Sequence, residues 1–138
     1  MTDKKNIIRY PSIFKEDVFV TLIFKEHPEY QKIKSIFDIH GFGFYHPEYE
    51  TIIIDGEIFI DSELSIDDLR FVEAHEVSHI LLNHKKEKNQ DDEIDADLGA
   101  YILLKRKGIS TERLIDVFLE RHNINFYEEL LVRVENLL

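Results

Sequence analysis

The chain contains no cysteine among its 138 residues. Disulfide bonds and thiolate metal ligands are therefore excluded, so any bound metal must be held by His, Asp or Glu. The absence also suits a cytosolic protein, because stable disulfides belong mainly to oxidising compartments. No apolar run approaches the length that crosses a bilayer, and the first residues lack the long hydrophobic region of a signal peptide. We therefore expect a cytoplasmic protein that does not enter a membrane.

Positive charge is scarce as well. Lys and Arg number 17 against 28 Asp and Glu, which gives a formal net charge of −11. Because a chain this acidic repels phosphate, direct binding to nucleic acid is not expected. The length suits a single domain over residues 1–138, and a composition of 43% hydrophobic residues can support a packed core.

The middle of the chain predicts a hairpin followed by a long helix. Asp55-Gly56 separates two β-rich runs within residues 51–61, which is a typical signal for an antiparallel hairpin. Ser65 is a typical N-cap, and the helix that it would open continues to about His84.

The second half of the chain is predicted to be helical. A helix is expected over residues 92–106, with Asp91 or Asp92 as its cap, and two more helical stretches follow over residues 111–122 and 126–138. The order of elements indicates an α+β fold, with a small antiparallel sheet packed against a mainly helical core.

The long central helix carries the pattern His75-Glu76-Val77-Ser78-His79. Residues four apart on a helix share a face, so the imidazoles of His75 and His79 can converge on one metal ion. Glu76 is rotated by about 100° from His75, which suits a base acting on a zinc-activated water rather than a ligand. The pattern predicts a hydrolytic zinc site. The alternative is a chance pattern of ordinary histidines in a chain that has seven of them.

A catalytic zinc usually has three protein ligands, so one more is required. One class of zinc enzyme supplies a histidine six residues after the second one, but Lys85 occupies that position here. His84 is one residue short of it and is predicted to point to another side of the helix. The remaining histidines are interpreted as surface or core residues.

The next helix offers acidic candidates. Glu93 and Asp97 lie four residues apart on a face that is otherwise apolar, and a carboxylate on an inward face needs a partner. Zinc ligation by Glu93 would supply one. Asp97 would hydrogen-bond a ligand histidine and fix its tautomer. The alternative is a solvated acidic face, which is the interpretation favoured for Asp95.

These motifs together resemble those of the ImmA/IrrE family of zinc metallopeptidases. The resemblance covers about 55 central residues and rests on Phe71, Ala74, the HExxH pattern at 75–79 and the ExxAD-like segment at 93–97. Gly99 stands where a large apolar residue is common in that family.

The resemblance implies roles for the matching residues. His75, His79 and Glu93 would bind Zn²⁺, and Glu76 would be the general base. Members of the family are associated with phages, other mobile elements and stress responses, and they often act on a helix-turn-helix repressor. Because no such segment is evident here, the resemblance implies a separately encoded protein substrate of this kind.

Three functions remain open at this point. The leading interpretation is a zinc endopeptidase with a narrow protein substrate. A second is a non-catalytic zinc module that sequesters a regulator, although such a module has no need of Glu76. A third is an α+β interaction domain without metal.

Overall fold

The computed structural model describes residues 7–40, 43–59, 66–84, 89–126 and 128–138. The chain divides into two compact units, residues 1–73 and 74–138. Several helices and a small sheet give the predicted α+β fold. The expected single domain over residues 1–138 stays a prediction. None of the described helices has the length and apolar character needed to cross a membrane.

A four-stranded sheet lies in the first unit. Its strands are β1 (Ile7–Pro11), β2 (Phe19–Ile23), β3 (Gly43–His46) and β4 (Thr51–Asp55), in the spatial order β1-β2-β4-β3. β2 is antiparallel to β1 and parallel to β4, whereas β3 is antiparallel to β4. The sheet is therefore mixed and not purely antiparallel. The parallel pair needs a long connection, and helix α1 (Tyr30–His40) lies within it.

The two central strands supply the buried face of the sheet. Val20 and Leu22 of β2 pair with Ile52 and Ile54 of β4, and all four side chains are buried. They occupy alternate positions along each strand, as residues on one face of a sheet must. The β-branched residues of this region thus form strands because they pack in the sheet interior.

The hairpin predicted over residues 51–61 is wrong. β4 ends at Asp55, and a 3₁₀ turn follows at Gly56–Phe59, while the last two residues of the segment lie outside the described part. The Asp55 carboxylate accepts a hydrogen bond of 3.0 Å from the buried Tyr30 hydroxyl. A Cβ on Gly56 would lie 2.5 Å from the Phe24 ring. The Asp-Gly pair therefore serves a buried hydrogen bond and a close packing contact, and not a hairpin turn.

Helix α2 (Ile66–Leu81) begins in the first unit and ends in the second. Its residue Glu73 is fully buried within the first unit. The Glu73 carboxylate accepts hydrogen bonds from the Ser12 hydroxyl (2.7 Å), the backbone N–H of Ile13 (3.0 Å) and the Arg70 guanidinium (2.7 Å). A buried carboxylate needs such partners, and here they connect α2 to the segment after β1.

The second unit is built around helix α3 (Gln90–Arg106). Helix α4 (Glu112–His122), a 3₁₀ turn at Glu128–Leu131 and the short helix α5 (Val132–Glu135) complete it. The buried apolar cluster of this unit consists of Ile94, Leu98, Ile102, Phe118 and Val134. The helical stretches predicted at 92–106 and 111–122 are confirmed, whereas only short helical segments form within 126–138.

The N-cap of α3 differs from the one that the sequence predicts. The Asn89 side chain accepts hydrogen bonds from the backbone N–H groups of Asp91 and Asp92, so Asn89 is the N-cap of α3 and the predicted aspartate caps are wrong. Asparagine and aspartate both favour this position, and the helix begins one half-turn earlier than its apolar pattern indicates. Ser65, the cap predicted for α2, lies outside the described residues.

Candidate metal centre

The two motif histidines converge, as their spacing predicts. His75 and His79 lie one turn apart on α2, and their rings meet edge to face with centroids 4.7 Å apart. The two Nε2 atoms are 3.1 Å from each other. His75 is buried and His79 is half-buried. Two basic nitrogens thus point to the same place on the inner face of one helix.

Glu93 of α3 brings a carboxylate to these nitrogens. Its Oε2 lies 2.6 Å from His79 Nε2, and its Oε1 lies 3.6 Å from His75 Nε2. When donor atoms lie about 2.0–2.2 Å from a tetrahedrally coordinated metal ion, the distance between any two of them is about 3.3–3.6 Å. The observed separations, 2.6 to 3.6 Å, are close to that range. The three side chains therefore fit a metal ion, and among the described residues they are the group whose donor atoms gather in this way.

The approach of α3 to α2 depends on Gly99. A Cβ at this position would lie 2.5 Å from the Ser78 hydroxyl oxygen and 2.8 Å from the Ser78 Cβ. The Ser78 hydroxyl donates to the Ala74 carbonyl (2.8 Å) and is fully buried, so it cannot turn aside into solvent. A glycine in a helix interior is destabilising by about 0.5–1 kcal/mol relative to alanine. Its presence here is explained by the contact, which brings the glutamate of α3 to the histidines of α2.

Asp97 holds the ring of His75. The His75 Nδ1–H donates to Asp97 Oδ1 at 2.7 Å, and His122 Nε2–H donates to Asp97 Oδ2 at 2.6 Å. A proton on Nδ1 leaves the Nε2 of a neutral His75 free to bind a metal. Burial alone would raise the Asp97 pKa, but the two hydrogen bonds more than offset it and hold that pKa well below its usual range.

The same contacts change the protonation of His75. Burial alone would lower its pKa, but the hydrogen bonds to Asp97 and Glu93 outweigh burial and raise the pKa of His75 to about 10. In the metal-free protein at neutral pH, His75 is therefore an imidazolium that balances carboxylate charge. For Glu93, burial is again outweighed, and its contacts with His75 and His79 hold its pKa far below the ordinary value.

Glu76 lies beside the three donors without joining them. Its Oε2 is 3.9 Å from His75 Nε2, and only 13% of its side chain is exposed. Burial raises the pKa of Glu76, which the nearby histidines partly counteract. A carboxylate in this position can exchange a proton with a small molecule held at the histidine nitrogens.

Arg121 of α4 brings a cation to the carboxylates. Its Nη1 lies 3.4 Å from Asp97 Oδ1, and its Nη2 lies 3.8 Å from Glu93 Oε1. Its positive charge lowers the pKa of Asp97 and also opposes the rise in the pKa of Glu76. The site thus contains three carboxylates, one guanidinium and two metal-facing imidazoles.

The position of His84 differs from expectation. Helix α2 ends at Leu81 and not near His84, and Asn83 adopts a left-handed conformation with φ of 57°. The chain therefore turns back, and His84 Nδ1 lies 2.8 Å from His79 Nδ1. The expectation that His84 points to another side of the helix is wrong, because it assumed that the helix continues.

The five residues proposed from sequence, His75, Glu76, His79, Glu93 and Asp97, all meet in this region. Sequence reasoning missed the three neighbours Arg121, His122 and His84. No local pattern connects the residues on α4 to the metal-facing side chains. Asn83 is a signal that could have placed His84, since asparagine adopts the left-handed conformation more readily than most residues.

The chain matches no known protein family, no curated protein and no solved structure. Within the second unit, His75, His79 and Glu93 form a group that could bind a metal ion.

Proposed function

We propose that the chain is a zinc-dependent endopeptidase. Zinc accepts imidazole nitrogen and carboxylate oxygen in tetrahedral sites, and a set of two histidines and one glutamate is a known ligand set of catalytic zinc. Structural zinc sites usually have four protein ligands, whereas three donors gather in the part of the chain that the structure describes. The donor set thus favours a catalytic ion.

The observation that carries the hydrolytic proposal is the position of Glu76. Its carboxylate is largely buried next to His75 Nε2, yet it is not among the three gathered donors. Burying a carboxylate is unfavourable unless it is paired or has a chemical role. A metal-binding module without catalysis has no need of it, whereas a hydrolase needs a base at this place.

The proposed mechanism gives each side chain a separate task. Zinc, when bound, would activate water and polarise the scissile carbonyl. Glu76 takes the proton of the attacking water and passes it to the leaving amine nitrogen. In the metal-free protein, burial raises the pKa of Glu76. Asp97 keeps the His75 ring in place, and Arg121 offsets part of the carboxylate charge.

The substrate class follows from the resemblance to the ImmA/IrrE family. We propose a narrow protein substrate, namely a separately encoded transcriptional regulator such as the helix-turn-helix repressor of a mobile element or stress response. The cysteine-free composition suits cleavage in the cytoplasm.

The test compares wild type with Glu76→Gln, using Glu120→Gln as the control. Glu120 is an exposed residue of α4, so its change removes one charge without touching the site. We expect Glu76→Gln to keep about one zinc per chain and to lose cleavage by at least 10²-fold, the lower end of the usual contribution of a general base. Zinc loss in Glu76→Gln would show that Glu76 is structural, and the peptidase proposal would fail.

The inactive Glu76→Gln variant also serves to find the substrate. Tagged, zinc-loaded Glu76→Gln should capture a DNA-binding regulator from the source cells. Wild type should cleave this regulator, and the control variant Glu120→Gln should cleave it equally well. A captured regulator that wild type leaves intact would favour the alternative, a zinc module that sequesters its partner. Recovery of no regulator would contradict the proposed substrate class.

A further inference from the structure

The end of α2 forms a complete Schellman motif. The His84 N–H donates to the His79 carbonyl (3.0 Å), and the Asn83 N–H donates to the Ile80 carbonyl (3.1 Å). Asn83 between them has the left-handed conformation that this motif requires. In such a cap, the residue after the left-handed one packs against the residue five positions earlier, usually through an apolar contact. Here those two residues are His84 and His79.

A polar contact replaces the usual apolar one. The Nδ1 atoms of His84 and His79 lie 2.8 Å apart, which is a hydrogen-bond distance. One of the two atoms must carry the proton, and the other must accept it. When the Nε2 of a neutral His79 binds a metal, its proton is on Nδ1. His84 Nδ1 is then the acceptor, and its own proton lies on Nε2, which is 3.6 Å from Asp92 Oδ1.

We infer that His84 is a positioning residue of the metal centre, which accepts a hydrogen bond from His79 and fixes the ring orientation and tautomer of that ligand. The inference rests on the proposed zinc site. His84 does for His79 what Asp97 does for His75, so each ligand histidine has its own hydrogen-bond partner. The helix cap delivers this partner through backbone geometry.

Two substitutions at His84 separate the hydrogen bond from the packing. His84→Leu keeps an apolar contact of the kind that this cap normally contains, but removes the acceptor. His84→Asn places an amide oxygen close to the position of Nδ1, so it restores an acceptor. His27→Ala, in the first unit, is the control for loss of a histidine elsewhere.

The readout is the zinc dissociation constant, measured by competition with a chromophoric chelator. Loss of a partner that orients a ligand typically weakens metal binding 10–100-fold. We therefore expect His84→Leu to bind zinc 10–100-fold more weakly than wild type, His84→Asn to recover to within about threefold, and His27→Ala to match wild type. A merely structural role would not distinguish leucine from asparagine in this way.

A backbone perturbation tests the same inference without altering His84. Glycine adopts the left-handed conformation freely, whereas alanine is disfavoured there by about 1–2 kcal/mol. Asn83→Gly should therefore retain wild-type zinc affinity, and Asn83→Ala should weaken it. These variants keep the inference testable if His84→Leu does not fold.

Tautomers provide a direct spectroscopic check. In long-range ¹H–¹⁵N spectra of the zinc-loaded protein, His79 should carry its proton on Nδ1 and His84 on Nε2. Zinc binding by His84→Leu within twofold of wild type, or a proton on His84 Nδ1, would overturn the inference while leaving the zinc site intact. If the wild-type chain bound no zinc, the proposed function would fail as well, so the two failures are distinguishable.

Discussion

Replacing Gly99 with alanine should separate α2 from α3 and disable the metal site. The new Cβ would lie 2.8 Å from the Ser78 Cβ and 2.5 Å from its hydroxyl oxygen. Carbon atoms in contact prefer about 3.5–4.0 Å, so the helices must move apart by about 1 Å at this point. Glu93 is six residues away on the same helix, about 9 Å along its axis, and would shift with it.

The expected effect on stability is moderate, whereas the effect on zinc binding is large. Overpacking a core costs about 1–3 kcal/mol, and replacing a helical glycine recovers about 0.8–1 kcal/mol, so Gly99→Ala should lose about 0–2 kcal/mol of unfolding free energy. A functional site tolerates displacements of about 0.5 Å, and the expected movement exceeds that. We therefore expect zinc affinity to fall at least tenfold.

A double-mutant cycle with Ser78→Gly isolates the contact. Ser78→Gly removes both atoms that would contact the new Cβ at position 99. In the double variant Ser78→Gly/Gly99→Ala, the glycine of this contact is therefore on α2 and no longer on α3. Urea unfolding of the metal-free proteins should give a favourable coupling energy of about 1–3 kcal/mol, and zinc titration should show recovered affinity in the double variant.

Two results would refute this reasoning. Gly99→Ala with wild-type zinc affinity would show that the helix spacing does not govern the donor geometry. A coupling energy within about 0.3 kcal/mol of zero would show that the two residues do not constrain each other, since independent sites are additive within about 0.3–0.5 kcal/mol.

Two buried ionisable groups lead to further predictions. The pKa of metal-free His75 is raised from 6.5 to about 10, so zinc binding should displace one proton from this residue. The association constant for zinc should therefore rise about tenfold per pH unit from pH 7 to 9. Calorimetry in buffers of different ionisation enthalpy measures the released proton, and detection of no release would contradict this prediction. The same shift should stabilise the metal-free fold fully below pH 6.5, and that stabilisation should be lost as pH rises towards 10. Glu73→Ala leaves Arg70, Ser12 and Ile13 without their hydrogen-bond acceptor. Urea unfolding should show a loss of about 3–5 kcal/mol of unfolding free energy for this variant and a smaller loss for Glu73→Gln. A loss under about 1 kcal/mol for Glu73→Ala would show that the buried contacts contribute little.

The parts of the site that the sequence predicts are those fixed by helical spacing. His75 and His79 are four residues apart, and so are Glu93 and Asp97, so each pair shares a helix face whatever the rest of the fold does. The α+β class follows from similar local patterns and is confirmed. Local periodicity is sufficient where a regular helix carries the functional side chains.

The parts that the sequence does not predict depend on contacts between distant segments. Gly56 looks like a hairpin residue, but its place is explained by the ring of Phe24, which no local pattern connects to it. His122 and Arg121 reach Asp97 through the packing of α4 on α3.

The same limit applies to the relation between α2 and α3. Gly99 departs from the pattern of the resembled family, and the sequence gives no reason for it. Its contact with Ser78 supplies one, because a larger residue would not fit between the two helices. A family pattern therefore cannot replace the three-dimensional contact as an explanation of this residue.

Zinc content tests the central claim most directly. Metal analysis of the protein, purified without added metal and then titrated with zinc, should find about one zinc per chain in wild type and none retained by His79→Ala, which removes one of the three gathered donors. A wild-type chain that contains no zinc and takes up none on titration would contradict the account, and α2 would then be an ordinary helix with two neighbouring histidines.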